Sequence, residues 1–155
     1  MAIDQVRQHF HNLNLEDKIL EFNQSSATVE LAAEALNVIP ARIAKTLSFK
    51  DGEGAILVVA AGDVKIDNKK FKSEFGYKAK MLSPEEVLEE TGHAIGGVCP
   101  FGLKKTLKVY LDESMKRFDT LFPACGSSNS AIELTCDEIE TYSKAEKWVD
   151  VCKAR

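Results

Sequence analysis

The run Ala55-Ile56-Leu57-Val58-Val59-Ala60-Ala61 is apolar at every position, so a strand built from it has no face to give to water. It must lie at the centre of a sheet covered on both sides. The residues before it, Thr46-Leu47-Ser48-Phe49 and then Lys50-Asp51-Gly52-Glu53-Gly54, read as a partner strand and a glycine-containing hairpin loop. The run is far shorter than the roughly 20 residues of a membrane-spanning helix. No membrane partner is expected.

Helical signals surround this hairpin. Ile3, Val6, Phe10 and Leu13 recur at three- and four-residue spacing, and Val29, Ala32, Ala33 and Leu36 form a second stripe that ends near Asn37. Pro40 suits the first position of a short helical turn. Ser83-Pro84-Glu85-Glu86 and Thr135-Cys136-Asp137-Glu138 are capping boxes, the first opening a helix over Pro84 to Thr91 that Gly92 closes. Short strands are expected at Ile19–Phe22, Lys108–Leu111, Ala131–Leu134 and Lys147–Val151, with Asp112 capping a short helix.

Helices and strands mix without the long alternation of a doubly wound sheet, which predicts an α+β fold with a mixed, partly antiparallel sheet. The 155 residues suit one domain, taken as 1–155, and no repeat or linker divides them. With 45% hydrophobic and 28% charged residues the chain has a globular composition. Its N-terminus lacks the basic start and long apolar stretch of a secretory signal, so a cytoplasmic location is expected. Cys99, Cys125, Cys136 and Cys152 contain no CxxC pair and are expected as reduced thiols.

Formal net charge is -4, which disfavours a sequence-independent DNA-coating role. Charge is locally reversed between Asp63 and Lys80, where six lysines face three acids. That stretch suits a phosphate backbone or a plain solvated face. No Walker loop, dinucleotide fingerprint, Gly-x-Ser-x-Gly or metal-ligand spacing occurs; metal and cofactor are both expected to be none.

The densest glycine segment, Gly92 to Gly102, holds four glycines in eleven residues. Such a loop can aim backbone N–H groups at an anion or carbonyl oxygen, or it can simply turn a corner. His93, just past a helix end, reads as a base or as a structural hydrogen-bond donor. Lys45, between Ala44 and Thr46 where a helical turn enters a strand, reads as a half-buried ammonium needing a partner or as a surface lysine.

Several ordered pieces resolve these alternatives together. They are Ser26-Ala27-Thr28-Val29-Glu30-Leu31-Ala32 with Ile43-Ala44-Lys45-Thr46-Leu47; Ala60-Ala61-Gly62-Asp63 with Lys65 and Asp67; Thr91 through Gly102; and Cys125-Gly126-Ser127 leading to Ile132-Glu133-Leu134. Over nearly its whole length the chain resembles the YbaK/prolyl-tRNA-synthetase-associated editing domains. The resemblance implies a mixed, mostly antiparallel sheet curled toward a barrel with helices around it. It also implies a trans-acting aminoacyl-tRNA deacylase that hydrolyses the ester of a mischarged tRNA, typically tRNA for proline carrying a small residue such as Cys or Ala.

Carried over by position, Lys45 looks like the lysine these domains require, and Gly96 and Gly97 look like the catalytic backbone donors of their Gly-x-x-x-Pro loop. Thr46, His93, Val98, Cys99, Pro100, Gly126 and Ser127 are implied as substrate-binding. The implied partners are the acceptor end of mischarged tRNA and a prolyl-tRNA synthetase, with tRNA contacts expected at the lysines from Lys65 to Lys80 and at Lys104 and Lys105. An activated ester needs orientation and carbonyl polarisation more than a protein base, and a substrate hydroxyl or amino group can assist the attacking water. The His-Pro-Leu-x-Asn segment of alanine-specific relatives is absent, and Ala131 stands where cysteine-clearing relatives carry an acid. Two other readings are a non-catalytic tRNA- or synthetase-binding module and a thiol sensor built on Cys99.

Overall fold

Strand β3 (Gly54–Ala61) is buried from Ala55 onward and occupies the middle of a six-stranded sheet, as its all-apolar sequence requires. The computed structural model describes residues 2–155. Strand β2 (Ile43–Asp51) pairs antiparallel with β3 over eight residue pairs, from Ala44 opposite Ala61 to Asp51 opposite Gly54. The strands run further into the hairpin than the sequence suggested, leaving Gly52 and Glu53 as the turn.

The other elements, in chain order, are α1 (Ala2–His11), β1 (Leu20–Glu21), α2 (Val29–Leu36), β4 (Val64–Ile66), α3 (Asn68–Phe75), α4 (Pro84–Thr91), β5 (Lys108–Asp112), β6 (Thr120–Pro123), β7 (Ser130–Ala131), β8 (Leu134–Thr135), α5 (Cys136–Ser143), β9 (Lys147–Val149) and β10 (Cys152–Ala154). The main sheet has the order β8-β6-β2-β3-β5-β9, and β1/β7 and β4/β10 form two-stranded ribbons. Four of the seven pairings are antiparallel. Within the main sheet β2/β6, β3/β5 and β5/β9 are parallel, so the sheet is mixed. The α+β class with helices around a mixed sheet is the observed one.

Alternate residues of β3 feed two cores, as the period of a strand dictates. Leu57, Val59 and Ala61 pack with Val6 and Phe10 of α1, Phe101, Leu111, Met115 and Ile139. Ile56, Val58 and Ala60 pack with Phe49, Phe71, Val149 and Val151 on the other face. Each of the Val, Leu, Ile, Met and Phe side chains contributes about 1.5–3 kcal/mol by leaving water.

The local signals carry through. Thr28 caps α2 by accepting from Leu31 N at 3.1 Å, and Asn37 ends that helix in a left-handed conformation. Both capping boxes form, at Ser83/Glu86 and at Thr135/Glu138. Two expected strands are corrected. Ala131–Leu134 is divided because β7 pairs with β1 while β8 pairs with β6. Lys147–Val151 ends early at Val149, and the chain then forms β10 against β4.

Candidate functional site

A cavity of about 240 Å³ opens between the N-terminal end of α2, the first half of β2, the glycine loop and Phe122. Its volume suits one small side chain and its backbone rather than a nucleotide, since sites for larger ligands run from about 300 Å³ upward. Lys45, Thr46, Gly96 and Val98 all line it, so four of the residues singled out in the sequence meet there. Met81 and Ile95, each 59% exposed, stand at its edge.

Lys45 is the third residue of β2, opposite Ala60, and its Nζ donates to Val64 O at the start of β4. Burial pushes its ammonium below the ordinary lysine value, helped by the charge of Arg155, while Cys152, Asp63 and Glu30 partly offset this. Among the described residues it has no ion pair. The acid next to its carbonyl partner, Asp63, is held by Arg117 through two bonds of 3.0 and 2.6 Å. The hydrogen bond from Arg117 is the main reason that the Asp63 carboxyl lies below its usual range.

The glycine loop sorts its members. Gly96, at φ +97°, lies on the cavity, where an added Cβ would sit 3.0 Å from Ala27 Cβ. Among the described residues neither Gly96 nor Val98 has an acceptor for its N–H. The expected donor role of Gly97 is corrected: its N–H is spent on Ala94 O at 3.0 Å, closing a turn. Gly97 is instead a packing position, because a Cβ there would meet Ser127 N at 2.7 Å and Gly126 C at 2.8 Å.

His93 is also corrected, since it does not face the cavity. It is fully buried, and its Nε2 lies 2.8 Å from Phe101 O. A carbonyl only accepts, so Nε2 carries the proton and Nδ1, which has no partner, is the bare nitrogen. Burial pushes its pKa down, so it is a neutral clamp across the loop rather than a base. Cys99 and Pro100 are buried behind the cavity wall, and the Cys99 thiol, 3.6 Å from Phe101 O, is pushed up to about 12 by desolvation. That microenvironment is the opposite of a reactive thiol's.

Gly126 and Ser127 form a supporting layer: Gly126 N donates to Gly97 O at 3.0 Å, and Ser127 Oγ lies 2.7 Å from Ser130 Oγ. None of the three histidines lines the cavity, as His9 bonds Tyr142 O and His11 faces Glu16. Among the described residues no set of three His, Cys, Asp or Glu side chains is placed to hold a metal. No described helix is long and apolar enough to cross a membrane.

Sequence reasoning missed the back wall, which Ser26, Val29, Ala32 and Ser130 share. Two buried hydroxyls of cavity-lining residues, Ser26 Oγ and Thr46 Oγ1, have no hydrogen-bond partner among the described residues. The sequence marked Ser26 only through the Ser26–Ala32 motif and Thr46 through the Ile43–Leu47 piece, and it showed neither hydroxyl's lack of a partner, because hydroxyl satisfaction is decided by tertiary neighbours.

The aminoacyl-tRNA editing domain model matches residues 23–142. YwhH of Bacillus subtilis (strain 168), an uncharacterized protein, is 60% identical over 154 residues, covering 99% of this chain and 98% of its own. EbsC of Enterococcus faecalis, named as a candidate Cys-tRNA(Pro)/Cys-tRNA(Cys) deacylase, is 28% identical over 94% of this chain and 88% of its own. A proline–tRNA ligase of Thermotoga sp. is 32% identical over 80% of this chain, which spans only 21% of that enzyme. The crystal structure of a candidate trans-editing enzyme for prolyl-tRNA synthetase superposes with a TM-score of 0.88 at 28% identity, covering 99% of this chain and 98% of that one. The chain belongs to the aminoacyl-tRNA editing domain family.

Proposed function

We propose that this protein is a trans-editing deacylase, which hydrolyses the ester between tRNA for proline and a small non-proline amino acid such as cysteine or alanine. The observation that carries the reading is Lys45: a half-buried ammonium without a carboxylate partner, in the wall of a one-residue cavity beside backbone N–H groups that lack acceptors. The names of EbsC and of the superposing trans-editing structure support the substrate class.

In this reading the aminoacyl group enters the cavity and its carbonyl oxygen takes hydrogen bonds from Gly96 and Val98 N–H. Water oxygen adds to the carbonyl carbon, the ester C–O bond breaks, and the ribose oxygen leaves with the proton given up by the water. Lys45 stabilises the negative charge that develops on the way. Donors fixed in a low-dielectric wall need no reorganisation, and removing one typically costs ~10²- to 10³-fold in rate. No imidazole reaches the cavity, so proton transfer falls to water or to a group of the substrate itself. The hydroxyls of Ser26 and Thr46, unpartnered among the described residues, favour a thiol or hydroxyl on the bound side chain, because such a group can supply the partner that the cavity wall does not.

The test is a deacylation time course on tRNA for proline charged with alanine, cysteine, serine, threonine or proline, with wild type beside Lys45→Ala. The expected result is hydrolysis of one or more non-proline esters, abolished by the substitution. Intact tRNA binding with no turnover of any ester would replace the deacylase by a binding module.

A further inference from the structure

Strand β10, which the sequence did not reveal, sets Lys153 directly opposite Lys65 of β4. Directly opposed residues share one face of a ribbon, with Cβ atoms only about 5 Å apart, and like charges so placed are destabilising. Both lysines are exposed, and among the described residues neither has a carboxylate within salt-bridge distance. The ribbon itself carries no acid: its other residues are Val64, Ile66, Cys152 and Ala154.

The acids around it are already committed. Asp67 accepts from Lys69 N and Lys70 N at 3.0 and 3.1 Å, capping α3. Asp150 is bonded to Lys70 Nζ at 3.0 Å, and Asp63 to Arg117. In a chain of net charge -4, two cations are thus held side by side with no salt bridge among the described residues, and the acid that acts on them is Asp67, whose carboxyl feels the charge of Lys153. The pair also adjoins the cavity, because Lys45 bonds the Val64 carbonyl that immediately precedes Lys65.

We propose that the exposed face of the β4/β10 ribbon, with Lys65 and Lys153 as its paired cations, takes backbone phosphates of the tRNA acceptor arm. This rests on the deacylase reading in naming tRNA as the partner. It selects from the lysine-rich stretch the pair that strand register sets directly side by side, whereas Lys70 is paired with Asp150 and Lys105 with Glu90, and Lys69, Lys72, Lys78 and Lys80 lie outside the ribbon.

Phosphate contacts release counterions, so each contributes about 0.7–0.9 to the slope of log affinity against log salt. Uncharged tRNA carrying a fluorophore is titrated with wild type, Lys65→Ala/Lys153→Ala and a second pair, Lys108→Ala/Lys144→Ala, between ~50 and ~200 mM salt. The ribbon variant should bind more weakly and lose about 1.5 from the slope, so that the ratio of wild-type to variant affinity shrinks about tenfold across that range. The second pair should keep the wild-type slope. A ribbon variant with wild-type slope, an equal loss in the second pair, or no tRNA binding by wild type at low salt would each overturn the proposal. Because the tRNA is uncharged, an inactive enzyme leaves this readout intact, and a negative result here leaves hydrolysis to be judged on its own assay.

Discussion

Gly97→Ala tests whether this glycine serves packing between two loops. The added methyl group would lie 2.7 Å from Ser127 N, 2.8 Å from Gly126 C and 2.9 Å from Ser127 C, all backbone atoms that cannot rotate away. The loops must separate by several tenths of an ångström, which weakens the buried 3.0 Å bond from Gly126 N to Gly97 O. Overpacking of this kind costs about 1–3 kcal/mol and the bond adds about 1. For a chain of this length each kcal/mol moves Tm by about 2–4 °C, so the substitution should lower Tm by roughly 5–15 °C. Gly54→Ala is the control, because its nearest neighbour to an added Cβ is Asp51 O at 3.7 Å. Thermal and urea unfolding followed by circular dichroism read both. A Gly97→Ala Tm within about 2 °C of wild type, or an equal loss in Gly54→Ala, would refute the packing argument.

Thr46→Val removes a buried, unpartnered hydroxyl at nearly constant shape, so it should raise stability by about 1 kcal/mol while slowing hydrolysis of a thiol- or hydroxyl-bearing ester; a lowered urea midpoint would contradict this. Native protein treated with iodoacetamide near neutral pH should be alkylated first at Cys136, the most exposed of the four cysteines, and at Cys99 only on unfolding. Mass spectrometry showing Cys99 modified as fast as Cys136 would revive the thiol-sensor reading. The folded His93 titrates below its ordinary value because of burial, so the unfolded chain takes the proton first. The contribution of His93 to stability is therefore full above about pH 6.5 and is lost as pH falls from there toward the lowered value, and His93→Gln should lessen the slope of the urea midpoint over that window, leaving the part due to His9, which burial also pushes down; an unchanged slope would count against it. Arg117→Ala should slow deacylation by freeing Asp63 to pair with Lys45, and Asp63→Asn in the same chain should restore it. A double variant as slow as the single one would show that Arg117 acts only through stability.

The parts of the fold that were legible in the sequence have their cause within a few residues. The β2/β3 hairpin follows from an all-apolar run beside a glycine turn, and α2, α4 and α5 start where Thr28, Ser83 and Thr135 supply caps. Helix α3 was not legible because its Lys-rich sequence places only Phe71 and Phe75 on the apolar face. Strand β10 has three residues and exists because β4 pairs with it, so no local pattern could announce it. At the site, Lys45 and the glycine loop were visible as residues, but which N–H groups were free was not. Gly96 and Gly97 are adjacent and chemically identical, and the difference between them is a turn bond to Ala94. His93 likewise looked like a loop histidine until Phe101 O fixed its direction.

What the tertiary structure adds at Lys45 is isolation of a charge. An ammonium with a carboxylate partner would have its field largely cancelled within the protein, and a substrate's developing charge would gain little from it. Here the partner is a neutral carbonyl, which occupies one of the three N–H donors and leaves two for a ligand. Asp63, one residue before that carbonyl, would be the natural counter-ion, and the bidentate grip of Arg117 keeps it engaged elsewhere. The cost is a desolvated cation, seen in the downward push on its pKa, and the surrounding β2/β3 pairing holds the strand that carries it. In the proposed deacylase, the fold would thus supply reactivity less by adding a catalytic group than by withholding the partner that would neutralise Lys45.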